Sequence, residues 1–294
     1  MARKVRSKRI RRGSKKYLRY ERMIIQLTTT MIKDLQAMVV KTLIPRIKVA
    51  SANFKAIDQD ETEYFEELID QIEAQFLGRF SRPFIKQNLS RFFEDLGLEV
   101  DESLTRQIGR EVITIAPSYK QREIINLATT NSLGKIRNLL QNTLGEIRGE
   151  VSQGLARGER WEEVAKRLEK PIRAGRKPGT KPSPFQNAYT RARLIARNEV
   201  GTALGELNKN QQETAGVRLY EWQTAEDERV RSTHRELGEN GRNIYSWSGT
   251  VTVNGIKYTE AYDTGYNGGQ KVIPGEAYNC RCVAIPFIPE IEEV

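Results

Sequence analysis

Apolar residues recur at three- and four-residue spacing through most of residues 20–170, and this spacing predicts helices. Leu27, Met31, Leu35, Met38 and Thr42 mark the first, with Pro45 expected to close it. Asp60 is placed to cap a second, whose apolar face is Tyr64, Phe65, Leu68, Ile72 and Phe76. Pro83 opens a third, carrying Ile85, Leu89, Phe92 and Phe93, with Gly97 as its expected end. Asp101, Leu104, Ile108, Val112 and Ile115 predict a fourth, stopped by Pro117. Residues 119–170 predict two or three more, with breaks at Gly154 and Gly158 before "RWEEVAKRLEK". Each apolar stripe reads as core or bundle seam.

The texture then changes twice. Residues 170–184, "KPIRAGRKPGTKPSP", combine prolines, glycines and basic residues without an acid, the composition of a linker. A helix over about 185–215 follows, with Ala188, Ala192, Ile195, Ala196, Glu199 and Ala203 along one side and Gly216 as its stop. Beyond it the period falls to two. "VRLYEWQT" alternates; "VTVNGIKYT" places Asn254-Gly255 between two β-rich arms, a type I′ hairpin signal. "NCRCVAIPFIP" suits a closing strand. The expected fold class is α+β: a mostly helical N-terminal half, then one long helix with a small antiparallel sheet and a hairpin. The expected organisation is an arm over 1–22, a helical domain over 23–170, a linker over 171–184 and an α+β domain over 185–294.

Composition narrows the class. Of 294 residues, 38% are hydrophobic and 29% charged, the balance of a globular chain of about two domains. No run of about 18 apolar residues is present, so no membrane span is expected. "MIIQLTTTMIKDLQ" lacks an uninterrupted apolar core, so neither a secretory signal nor a transit peptide is expected. The net charge of +10 is concentrated in residues 1–22, where eleven Lys and Arg meet the single acid Glu21. Arg3, Lys4, Arg6, Lys8, Arg9, Arg11, Arg12, Lys15, Lys16 and Arg19 are thus candidate contacts to a polyanion, double-stranded DNA above all. The bland alternative is a solubilising tail.

The chain has two cysteines, Cys280 and Cys282, and one histidine, His234. A disulfide at i, i+2 is disfavoured: two strand residues span roughly 6.6 Å, whereas bridged Cβ atoms lie about 3.8 Å apart. In a strand both thiols would face one side, which suits a metal or a core. His234 with both thiols, and Asp227 as a fourth ligand, could complete tetrahedral zinc. The alternative is a histidine hydrogen-bonded to an acidic or carbonyl neighbour beside packed thiols. Either way "NCRC" would pin the last strand to the loop after the Trp222 strand, offsetting about 3–4 kcal/mol of loop-closure entropy.

Three segments in order, "RARLIARNEVGTALGELNKNQ", "GVRLYEWQTAEDERVRSTHRELG" and "PGEAYNCRC", resemble the Mu F-like family of phage minor head proteins. The matching positions are Ala196, Arg197, Glu199, Gly216, Trp222, Asp227, Arg229, His234, Pro274, Asn279, Cys280, Arg281 and Cys282. The resemblance covers roughly 120–287 and is carried mainly by residues after 185. Asn198 stands where the family usually has Thr, and Arg231 and His234 occupy a Cys-x-x-Cys pair of many relatives. The resemblance implies a head-morphogenesis protein inside the virion head, beside the portal protein and other head proteins. It also implies a few copies, oligomeric around the portal, with ejection alongside the genome.

Catalysis is not expected. A His-Asn-His nuclease needs a second histidine, a Cys–His hydrolase an oxyanion hole, and no phosphate-cradling glycine motif precedes a helix. Glu226, Asp227 and Glu228 read as a solvated turn. The acidic "PEIEEV" leaves no expected room for a toxin domain. The reading is therefore a non-enzymatic minor head protein binding DNA through its arm. The alternatives are a cellular, non-specific nucleic-acid-binding protein and a metal-dependent nuclease.

Overall fold

A computed structural model describes residues 15–52, 59–108, 118–157, 159, 161–170, 172, 182–226, 228, 230–239, 243–265 and 269–289. Among them are seven helices and seven short strands, confirming the expected class of a mostly helical half followed by a small antiparallel sheet. The chain divides into two compact units. One gathers residues 1–22, 90–131 and 197–294; the other gathers 23–89 and 132–196.

Helix α1, Lys15–Ala52, begins inside the stretch expected as an arm and passes through Pro45, which was expected to end it. A proline inside a helix costs about 3 kcal/mol. Leu43, Ile44 and Ile47 around it are all buried, and each such side chain contributes about 1.5–3 kcal/mol. Burial therefore outweighs the break. Tyr17 and Tyr20 are also buried, and Tyr20 donates to the Asp95 carbonyl at 3.1 Å. Helix α2, Gln59–Arg79, follows.

Helix α3, Arg82–Ile108, fuses the two helices that Gly97 was expected to separate. An interior glycine costs only about 0.5–1 kcal/mol, while Phe93, Leu96 and Val100 are buried on either side of it. The glycine is a point of close approach: a Cβ there would lie 3.1 Å from the Gln121 side chain, which donates to Asp101 at 3.1 Å. The run expected to reach Ile115 is described only to Ile108. Helix α4, Tyr119–Ala156, is one unbroken element capped by Ser118, and α5, Trp161–Leu168, follows it. Gly154 stays helical; a Cβ there would fall 2.6 Å from Val164 of α5.

Helix α6, Pro184–Thr214, has a reciprocal capping box: the Gln186 N–H donates to Ser183 Oγ at 3.2 Å, and the Ser183 N–H to Gln186 Oε1 at 3.0 Å. It ends as expected at Gly216, in the left-handed region with φ 77°. There the Gly216 and Val217 N–H groups return to the Glu213 and Gln212 carbonyls at 3.0 and 2.8 Å, a Schellman motif.

The sheet is β2-β1-β7, with β1 (Leu219–Gln223) central and antiparallel to both β2 (Ile244–Ser246) and β7 (Val283–Phe287). The alternation in β1 does not mark a wet face, since four of its five residues are buried. Strands β3 (Val251–Val253) and β4 (Ile256–Tyr258) form the expected hairpin, with Asn254 and Gly255 at φ 48° and 76°. Strands β5 (Tyr262–Asp263) and β6 (Gln270–Lys271) make a second ladder. Tyr220, Trp222, Trp247, Val272, Ile273 and both cysteines share one core. The Trp247 indole donates to Gln212 of α6 at 3.1 Å, and Gln212 donates onward to the Ala284 carbonyl of β7 at 3.4 Å.

Candidate metal centre

The small residues of α6 allow a loop to settle directly on its backbone. A Cβ on Gly205 would lie 2.6 Å from the Pro274 carbonyl oxygen, and one on Gly275 would lie 2.5 Å from that of Gly201. Gly275, at φ 100°, also needs a backbone that other residues rarely adopt. This seat fixes the turn carrying the thiols. The Cys280 N–H donates to the Ala277 carbonyl at 2.9 Å, and Asn279 takes φ 55°. Asn279 is tied to α6 twice: its N–H donates to Asn198 Oδ1 at 2.7 Å, and Arg197 Nη1 donates to its Oδ1 at 3.0 Å.

Cys280 and Cys282 thus lie in the turn entering β7, not within the strand as expected. Strand alternation does not align them; the Asn279 turn does, and both still face the same neighbour. That neighbour is His234, on a helix where a loop was expected, α7 (Ser232–Glu239). His234 Nδ1 lies 3.4 Å from Cys280 Sγ and 3.5 Å from Cys282 Sγ. The Cys282 N–H approaches Cys280 Sγ at 3.4 Å. Neither cysteine is in a disulfide, and all three side chains are buried.

The other imidazole nitrogen, Nε2, lies 3.1 Å from Asp263 Oδ2 of β5. Asp263 is 1% exposed, and its second oxygen accepts the Gly265 N–H at 3.0 Å. Burial alone would push the His234 pKa down, but the Cys280 contact and the Asp263 charge outweigh it, and the net direction is up. Trp222 stands edge-on to the imidazole, with ring centres 5.4 Å apart. Arg231, an unfavourable cation for a metal, donates to the Tyr278 carbonyl.

The remaining sequence candidates are placed differently. Asp227, Arg3, Lys4, Arg6, Lys8, Arg9, Arg11 and Arg12 lie outside the described residues. Lys15 and Lys16 open α1, and Arg19 is exposed on it beside the Tyr20 ring. Glu226 and Glu228 are exposed. Asp263, the partner His234 needs, was not among the candidates. Its only signal was a lone acid before Thr-Gly in "AYDTG".

Thiol, imidazole and carboxylate in line can also describe a cysteine hydrolase. Here both thiols converge on one nitrogen inside a cavity of about 50 Å³, far below the roughly 300–1,000 Å³ of ligand pockets. A larger groove of about 670 Å³, lined by residues such as Val217, Leu219, Val251 and Phe287, has no thiol, imidazole or carboxylate among the described residues that line it.

Residues brought together here come from all three resembling segments: Arg197 and Asn198, then Trp222 and His234, then Asn279, Cys280 and Cys282. Residues 145–285 match the family described as "Phage Mu protein F like protein". Over these residues the chain is similar to the Mu F-like family, in keeping with the resemblance its motifs carry. Asn198, a departure from the usual threonine, supplies the oxygen that holds the Mu F-like "NCRC" turn. An uncharacterized protein of Haemophilus influenzae (strain Rd) is 24% identical over 197 residues, covering 67% of this chain and 37% of that protein. The chain therefore spans little more than a third of that relative's length. No solved structure matches it. No helix among the described residues is long and apolar enough to cross a membrane.

Proposed function

We propose that this protein is a non-enzymatic minor head protein of a tailed phage, bound near the portal and acting in head morphogenesis. The Mu F-like match over 145–285 carries this reading. The basic N-terminal segment is its contact to packaged double-stranded DNA, made through phosphates and without base readout. Because α1 already begins at Lys15 and buries Tyr17 and Tyr20, the contact is assigned chiefly to residues 1–14, with exposed Arg19 adjoining. A few copies around the portal, leaving with the genome, complete the reading.

Two experiments test it. A phage with this gene disrupted should yield defective or non-infectious heads, restored by the full chain supplied in trans; normal infectious particles would reject the assembly role. For DNA, about six phosphate contacts give a slope of log K against log[salt] near −5. A chain lacking residues 1–14 should lose that binding while keeping its thermal transition. Unchanged binding would place the DNA contact elsewhere.

A further inference from the structure

We propose that His234, Cys280 and Cys282 form a zinc site with three protein ligands, in which Asp263 orients the histidine and solvent takes the fourth position. This goes beyond the head-protein reading and does not depend on it.

The geometry fits the ion. Zinc–sulfur and zinc–nitrogen bonds of about 2.3 and 2.05 Å, at a tetrahedral angle, set a sulfur-to-nitrogen edge of roughly 3.6 Å. The two observed edges are 3.4 and 3.5 Å. All three ligand atoms lie within 4.8 Å of one another.

Proton bookkeeping agrees. An Asp263 carboxylate can only accept, so Nε2 donates to it, and in the proposed site Nδ1 is left to present its lone pair to the metal. Two sulfurs converge on that nitrogen. With a divalent cation bound, both thiols lose their protons to solvent, two thiolates balance the 2+ charge, and histidine stays neutral. The Cys282 N–H directed at Cys280 Sγ then stabilises a thiolate. Carboxylate, imidazole and metal in line form the usual outer support of a metal-bound histidine. Two thiolates and one imidazole, tetrahedrally placed, select zinc over harder ions.

The fourth position is assigned here to solvent, because Asp227 lies outside the described residues. Among the described residues, no fourth His, Cys, Asp or Glu joins the cluster. The adjoining cavity of about 50 Å³, lined by Val230, Arg231, Asn279 and Arg281 besides the ligands, is large enough for a water molecule. An internal water would complete the tetrahedron.

The test uses the full-length, untagged chain, purified without chelator. Elemental analysis should find stoichiometric zinc. The metal-free chain titrated with cobalt(II) should gain thiolate-to-metal charge-transfer absorption and a higher melting temperature. Asp263→Asn should weaken binding by about 10–100-fold, and Asp227→Ala should leave it unchanged. A chain with neither zinc nor a cobalt–thiolate band would overturn the site. So would cobalt absorption that persists in Cys280→Ser/Cys282→Ser, or binding lost in Asp227→Ala. The titration uses the native sequence, so a variant that fails to fold cannot obscure the result.

Discussion

The long helices and the C-terminal sheet region hold their shape in different ways. Helices α1 and α3 absorb Pro45 and Gly97 because each local cost is opposed by buried residues on both sides, such as Leu43 and Ile47 or Phe93 and Val100. The region after Gly216 is built from strands of two to five residues and the eight-residue α7, lengths that are not stable in isolation. Its order rests on one small core around Trp222 and Trp247 and on a handful of polar ties: Gln212 to Trp247 and Ala284 and His234 to Asp263, all buried, and the exposed Asn279 to Asn198. Stability spread along a stripe tolerates a broken local rule, whereas stability concentrated in one small core and a few ties does not.

Substitutions can break this contrast. Trp222→Ala, at a fully buried ring beside His234, should cost about 3–5 kcal/mol and weaken zinc binding; urea denaturation with cobalt titration reads both. Leu35→Ala, equally buried in α1, should cost about 2–5 kcal/mol yet leave cobalt binding intact. Pro45→Ala should stabilise by roughly 1–3 kcal/mol, since it restores an interior N–H and removes a ring clash. A destabilised variant would show that the helix depends on its kink. Gln212→Ala should cost about 1–3 kcal/mol by stripping partners from buried Trp247 and the Ala284 carbonyl, with a shift in tryptophan fluorescence.

The smallest effect concerns pH. Glu260 is held below the usual carboxylate range, first by the Lys271 ammonium at 2.6 Å and then by the Gly249 N–H. A depressed carboxylate contributes stability present above its unfolded pKa, which is lost as pH falls through the folded one. Glu260→Gln should therefore cost up to about 1 kcal/mol at neutral pH, and the difference from the native chain should vanish in acid. A difference that persists there would assign the effect to shape.

What the sequence showed follows the same divide. Signals confined to neighbours were readable: the Asn254-Gly255 turn and the Gly216 stop both adopt the backbone expected of them. Breaks at Pro45 and Gly97 are overridden by burial on either side of each, which a local breaker residue does not report. The cluster was half legible. Its thiols and histidine were visible by rarity, but Asp263 lies 29 residues from His234 and resembles any other acid in a Gly-rich loop. The placement of Cys280 before β7 depends on Asn279 bonding to Asn198, 81 residues away. Three motif segments that looked separate in sequence meet there, which is why the resemblance was informative.

The most direct test of the head-protein account is quantitative mass spectrometry of purified particles of the phage that encodes this chain. The account predicts the protein in DNA-filled heads, at a few copies per particle and far below the major capsid protein. Its absence from both filled and DNA-free particles would contradict it.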